Sequence, residues 1–279
     1  MSETSDPFKI RAFVPDADSI VQGYSTRSDA ARASLRNVLD VAYGAHESER
    51  LDLFFPPVMD GPVPVHIFIH GGYWRANRKE DYAFTAEAIT ASGAIAVVVE
   101  YALMPKTRMA DIVKQVRRAA DWVAANIEGH GGDPKRLSAS GHSAGAHLAS
   151  YLAARGPYET KALNTPVRSL LLISGIYQLQ PITTSFLQPE IMLTEKEVER
   201  WSPQDAAPES DVSPTLVVGA DETVPFHKQA EDYATLLASR GTRTRRFVLP
   251  GLNHMTVVSG LGDSASSLAG LVAQTIARS

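Results

Sequence analysis

The chain has 279 residues, 44% of them hydrophobic, a formal net charge of −4 and no cysteine. A large apolar core is therefore within reach, while disulfides, thiol nucleophiles and thiolate metal sites are excluded. There is no basic run to track a nucleic-acid backbone, no apolar stretch of about 18 residues to span a membrane, and no apolar segment in "MSETSDPFKIR" to serve as a secretory signal. A soluble cytoplasmic protein is expected, with a small-molecule substrate as its partner and neither nucleic acid nor membrane. A homodimer is compatible with the chain, but nothing in the sequence fixes the oligomeric state.

Residues 1–50 are polar and are expected to form a helical cap segment, with a helix over "SDAARASLRNVLDVAY" (28–43). Strands and helices then alternate. "RLDLFFP", "VPVHIFIH" (63–70) and "AIAVVVEY" (94–101) read as strands, the last two apolar enough for a sheet buried on both faces. "TRMADIVKQVRRAADWVAANI" has helical spacing, and "RLSASGH" (136–142) is a short strand leading into the helix "SAGAHLASYLAAR". The strands "VRSLLLISG" (167–175), "SPTLVVGA" (213–220) and "RTRRFVLP" follow, with the helix "HKQAEDYATLLASR" between the last two and another helix at the C-terminus. Such alternation implies an α/β fold, with a mainly parallel central sheet flanked by helices. Residues 176–212 break the rhythm and are expected to be a small lid insertion in a single domain spanning 1–279.

Within that order, "GHSAGAHLA" (141–149) sets a serine between two glycines at a strand-to-helix corner. Gly141 and Gly145 remove side chains that would collide in a sharp turn, which leaves the Ser143 hydroxyl at the carboxyl end of the sheet above a helix N-terminus. A plain turn with a serine cap would use the same residues, so other motifs have to decide. "HGGYW" (70–74) ends a strand with adjacent glycines, whose N–H groups could line an oxyanion hole together with that of Ala144. His70 is expected to orient this loop. Three histidines follow Ser143. His147 lies one turn into the next helix and reads as structural. His227 opens a helix and reads as exposed. His254, in "PGLNHMTVV" after the last strand, stands where a general base belongs. The His142/His147 pair does not fit one helix face, and no metal site or other cofactor is expected.

"HGGYW", "EYALMP" (100–105), "GGDPKRLSASGHSAGAHLA" (131–149) and "PGLNHMTVV" together resemble the α/β-hydrolase superfamily over residues 35–260, in its hormone-sensitive-lipase-like and kynurenine-formamidase-like branch. Tyr73 stands where lipase-type esterases carry a third glycine, and "GHSAG" replaces their "GDSAG"; both departures, with "SGIYQLQPI", are closer to the arylformamidases. The resemblance implies an α/β-hydrolase fold and a serine hydrolase cleaving a small formyl-like amide or ester of an aromatic compound, an N-formylkynurenine-type substrate first. A short-chain carboxylesterase or lactonase, or a non-catalytic binding protein on the same fold, are the alternatives.

Under that resemblance Ser143 is the nucleophile, His254 the base, and the N–H groups of Gly71, Gly72, Tyr73 and Ala144 the oxyanion hole. Trp74, His142, Tyr177 and Phe186 become candidate substrate contacts, and Trp201 a further aromatic wall. The acid lies in "PTLVVGADETVPF" (214–226), with Asp221 and Glu222 adjacent. Counting three residues from the strand-ending Gly219 points to Glu222; the commoner aspartate would be Asp221 after a one-residue shift. Asp205 and Asp211 precede the strand and are poorer candidates.

Overall fold

A computed structural model describes residues 6–161, 166–209 and 212–279; of the weaker acid candidates, Asp211 lies outside them. Among the described residues ten strands form: β1 (Asn37–Ala42), β2 (Arg50–Phe54), β3 (Val63–Ile69), β4 (Ile95–Val99), β5 (Gly132–His142), β6 (Ala154–Arg155), β7 (Val167–Ile173), β8 (Ala207–Pro208), β9 (Ser213–Gly219) and β10 (Arg245–Leu249). Eight make one sheet in the order β1-β2-β4-β3-β5-β7-β9-β10, and β6 pairs with β8 apart from it. From β4 through β10 every neighbour is parallel, while β2 runs antiparallel to β4 and to β1.

The helices are α1 (Ala17–Ser34), α2 (Ala86–Ala91), α3 (Met109–Asn126), α4 (Ala144–Ser150), α5 (Gln188–Ile191), α6 (Glu195–Trp201), α7 (Val224–Ser239), α8 (Thr256–Ser259) and α9 (Ser267–Ile276). They cover both faces of the sheet. On one face Ile67 and Ile69 of β3 and Val97 and Val99 of β4 pack with α3 and α4. On the other, Phe68, Ala96 and Val98 pack with α2 and α9. This two-sided burial is why β4 is apolar at every position: side chains alternate between two cores rather than between core and water.

The expected helix over 28–43 is not formed. The helix lies earlier, at Ala17–Ser34, and Asn37–Ala42 is an edge strand whose exposure alternates residue by residue. "NVLDVA" itself sets its apolar residues in adjacent pairs around Asp40, so the alternation shows in burial alone, with Leu39 and Val41 half-buried and Val38 and Asp40 exposed. Residues 176–209 contain α5, α6, β8 and two short 3-10 helices, Gln180–Thr184 and Pro203–Asp205, and their apolar side chains join the core on the α3 and α4 face of the sheet.

Candidate active site

β5 lies between β3 and β7, with Gly141 level with Ile69 and Leu172. The chain leaves it at Ser143 with φ 56° and ψ −118°, in the left-handed region that costs a non-glycine residue about 1–3 kcal/mol. The turn is held by the Ser143 N–H donating to the Ile173 carbonyl at 2.8 Å. Its glycines are sterically required. A Cβ on Gly141 would fall 2.2 Å from the Gly145 oxygen, and one on Gly145 would fall 2.1 Å from the Ile69 oxygen. Strand, corner and helix N-terminus thus fit together only with no side chain at either position.

His254 sits between β10 and α8, its ring 4.1 Å from that of Phe226. Nδ1 is 2.7 Å from Glu222 Oε2. The other carboxylate oxygen, Oε1, accepts the Gly219 N–H at 2.7 Å and the Ser174 hydroxyl at 2.5 Å. The Glu222 side chain is fully buried and that of His254 nearly so. Asp221, the alternative acid, is exposed and reaches none of this; its N–H donates to the Leu252 carbonyl and fixes the β9 turn. Ser174 was not foreseen. Its φ of 51°, at the end of β7, turns its hydroxyl to the carboxylate.

The His-Gly-Gly loop packs against the corner. Gly71 is buried so closely that a Cβ would lie 2.9 Å from the His142 carbonyl oxygen and 3.3 Å from Ser143 Cβ, and it does not line the cavity. The Gly72 and Tyr73 N–H groups have no backbone partner among the described residues, and the Ala144 N–H opens α4, where a helix leaves its first donors free. His70 holds the loop: Nδ1 meets the Gly71 carbonyl at 2.8 Å and Nε2 meets Glu100 at 3.1 Å. Tyr101 stacks on that imidazole at 4.3 Å and donates to the His70 carbonyl. The Glu-Tyr of "EYALMP" is thus the brace of the loop.

Ser143 and His254 line one cavity of about 360 Å³, together with Gly72, Tyr73, His142 and Phe186. His142 Nε2 is 2.9 Å from the His254 carbonyl, which requires the Nε2–H tautomer, and the two rings are 4.8 Å apart. Burial, with His254 adding to it, holds the His142 pKa well below the usual histidine value, so this ring is a neutral neighbour.

Three expected aromatic contacts are placed elsewhere. Trp74 is fully buried, its indole donating to His147 Nδ1 at 3.2 Å. Tyr177 stacks on Tyr233 at 4.3 Å in the core, and Trp201 packs edge-on to Tyr151. His147, between Trp74 and the Trp201 carbonyl, is structural. His227 lies in the first turn of α7, half-buried. The rest of the aromatic lining comes from Tyr24 on α1, far from the motifs in sequence, and from Tyr82, a few residues after the His-Gly-Gly loop. Among the described residues no three His, Asp or Glu side chains could hold a metal ion, and no helix is long and apolar enough to cross a membrane.

The parallel sheet, with a strained serine at the carboxyl end of its central strand, defines an α/β-hydrolase. Residues 51–235 match the BD-FAE family model, and the chain belongs to this family. It is 30% identical to the kynurenine formamidases of Salmo salar, over 273 residues, and Danio rerio, over 272, covering 94% of this chain and 91% of each relative. Among solved structures it resembles a putative thioesterase from Silicibacter sp. TM1040, with a TM-score of 0.83 and 25% identity over 98% of this chain and 99% of that one. An esterase of Pyrobaculum calidifontis shares the fold, with a TM-score of 0.76 and 20% identity over 95% and 94% of the two chains. The chain is a hydrolase.

Proposed function

We propose that this hydrolase removes a small, formyl-like acyl group from an aromatic amine or alcohol, with N-formylkynurenine-type amides as the leading substrates. The observation that carries this reading is the 2.7 Å contact between Glu222 and His254 Nδ1, in a cavity that His254 shares with Ser143. A carboxylate on Nδ1 leaves Nε2 free to take a proton. Ser143 Oγ attacks the acyl carbon as its proton passes to His254 Nε2. The carbonyl oxygen gathers negative charge against the N–H groups of Gly72, Tyr73 and Ala144, each such donor being worth about 10²–10³ in rate. His254 returns the proton to the leaving nitrogen or oxygen. Water, deprotonated by the same imidazole, then releases formate and restores Ser143.

Tyr24, Tyr73, Tyr82 and Phe186 support an aryl leaving group, with Tyr73 and Phe186 edge-to-face at 6.1 Å. The kinship with kynurenine formamidases over nearly the whole chain supports the formyl group. A panel of N-formyl anilides, short p-nitrophenyl esters and lactones, compared by kcat/KM, tests the reading. Formyl anilides should lead; faster cleavage of long-chain esters would refute it.

A further inference from the structure

We infer that His70 carries a hydrogen on each ring nitrogen and so stands as a buried cation behind the oxyanion loop, polarising the peptide whose N–H meets the oxyanion. Its role rests on the reading of the Gly72 N–H as an oxyanion donor in the proposed hydrolysis. His70 is fully buried. Its Nδ1 lies 2.8 Å from the Gly71 carbonyl oxygen, an atom that can only accept, so Nδ1 carries a hydrogen. Its Nε2 lies 3.1 Å from Glu100 Oε1. Glu100 is already an acceptor twice over: Oε1 takes the Tyr101 N–H and Oε2 the Lys79 N–H, each at 3.0 Å. Without a hydrogen between Nε2 and Oε1, two lone pairs would face each other in the protein interior. Imidazole is ordinarily a stronger base than a carboxylate by about two pH units, and the two backbone N–H donors favour the ionised carboxylate. The hydrogen belongs on Nε2, which makes His70 and Glu100 an ion pair.

The surroundings of the ring suit a cation. Tyr101 lies flat on the imidazole, with ring centroids 4.3 Å apart and planes 11° from parallel, and Tyr82 stacks at 6.0 Å. The faces of aromatic rings are negative and attract a cation placed over them. The charge reaches the site through one peptide. The Gly71 carbonyl and the Gly72 N–H belong to the same trans unit and point in opposite directions. The carbonyl is held by His70 Nδ1 and again by Asn77 Nδ2 at 3.3 Å. The N–H is thereby directed away from His70, on a residue that lines the cavity with Ser143. A charged donor on the carbonyl draws electron density from the peptide and strengthens its N–H as a donor, as hydrogen bonds in a chain strengthen one another. Neither His70 nor Glu100 lines the cavity. Both are positioning residues that act on the transition state through Gly72.

Nitrogen NMR of the native enzyme with isotopically labelled histidine reads the charge directly. At pH 7 both His70 ring nitrogens should resonate as protonated nitrogens, the ring being assigned through its contacts with the stacked Tyr101. Glu100→Gln removes the anion and should return His70 to a neutral ring with one unprotonated nitrogen. It should also lower kcat by about tenfold with KM little changed, part of the roughly 10²–10³ lost with a whole donor. His70→Asn, whose Nδ2 replaces the Nδ1–H without its charge, should lower kcat to a similar extent, and it serves where Glu100→Gln does not fold. An unprotonated His70 nitrogen in the native enzyme overturns the inference. So does a charge that survives Glu100→Gln, or a native kcat in a variant that has lost the charge. The spectrum needs no substrate. If formyl anilides are not turned over, the proposed substrate fails instead, and kcat is then read on p-nitrophenyl acetate, where the same losses decide.

Discussion

Glu222 and Asp221 are neighbours in sequence, yet only Glu222 reaches His254; Asp221 is exposed at the β9 turn. The backbone puts successive side chains on different sides of the turn, so the choice of acid is a choice of register. Glu222→Gln keeps the shape but removes the charge that fixes the imidazole, and should cost about 10⁴ in kcat by analogy with loss of a triad aspartate. Asp221→Asn should stay near normal. A large loss in Asp221→Asn alone would name the other acid.

Ser143→Ala should abolish turnover of formyl anilides and labelling by a fluorophosphonate. Its melting temperature should stay close to that of the native protein, since among the described residues the hydroxyl makes no hydrogen bond that supports the fold. Activity within tenfold of native would rule Ser143 out as the nucleophile.

Ser174→Ala removes one of two protein donors to Glu222 Oε1 and leaves the Gly219 N–H in place. A hydrogen bond to a charged group contributes about 1.5–3 kcal/mol. The variant should lose roughly tenfold or more in kcat with KM little changed. An unaltered kcat would show that Ser174 does not position the acid.

Gly145→Ala and Gly270→Ala should differ in sign. At Gly145 the new methyl meets the Ile69 and His70 oxygens at 2.1 and 2.5 Å, an overpacking worth about 1–3 kcal/mol or more. At Gly270, inside α9, nothing lies within 4 Å, and alanine should stabilise by about 0.5–1 kcal/mol. Urea denaturation of the pair checks both directions.

Stability should fall on mild acidification. Burial pushes His147 down to about 4 and His66, held between the Ser138 and Ser140 hydroxyls, down to about 3, from an ordinary 6.5. Below pH 6.5 the unfolded chain binds protons that these two sites refuse, so each costs up to about 2 kcal/mol between pH 7 and 5. The loss continues until the folded-state values are reached. Equal urea midpoints at pH 7 and pH 5 would contradict this.

Local constraints made part of the site readable. The elbow is a five-residue pattern whose glycines are forced by backbone contact, and the His254 loop follows the last strand, so both could be placed from spacing. The acid needed a count from Gly219, which leaned to Glu222 without excluding its neighbour. Aromatic walls were poorly legible because the residue type does not say which way a side chain turns. Tyr73 and Trp74 both have positive φ, yet one enters the cavity and the other the core. Tyr24 carries no local signal, since it reaches the site only through long-range packing, and Tyr82, although it follows the His-Gly-Gly loop closely, stands in no motif that marks it. In the N-terminal segment, "NVLDVA" followed helical residues closely enough to be read as their continuation.

The chain before α1 is tied across the site, with the Thr223 hydroxyl donating to the Pro7 carbonyl at 2.8 Å and the Phe186 N–H to Asp6 at 2.5 Å, and this bears on how the protein comes to be made. Pro7 and Thr223 are 216 positions apart, and Asp6 and Phe186 are 180 apart. On a growing chain, where domains assemble from the N-terminus as synthesis proceeds, Asp6 and Pro7 must wait until the loops that hold them have emerged before they can dock. Contacts of such separation carry the largest loop-closure entropy and are expected late. A nascent enzyme would therefore have its serine corner shaped well before one wall of its cavity, and would become selective only after that corner was already in place.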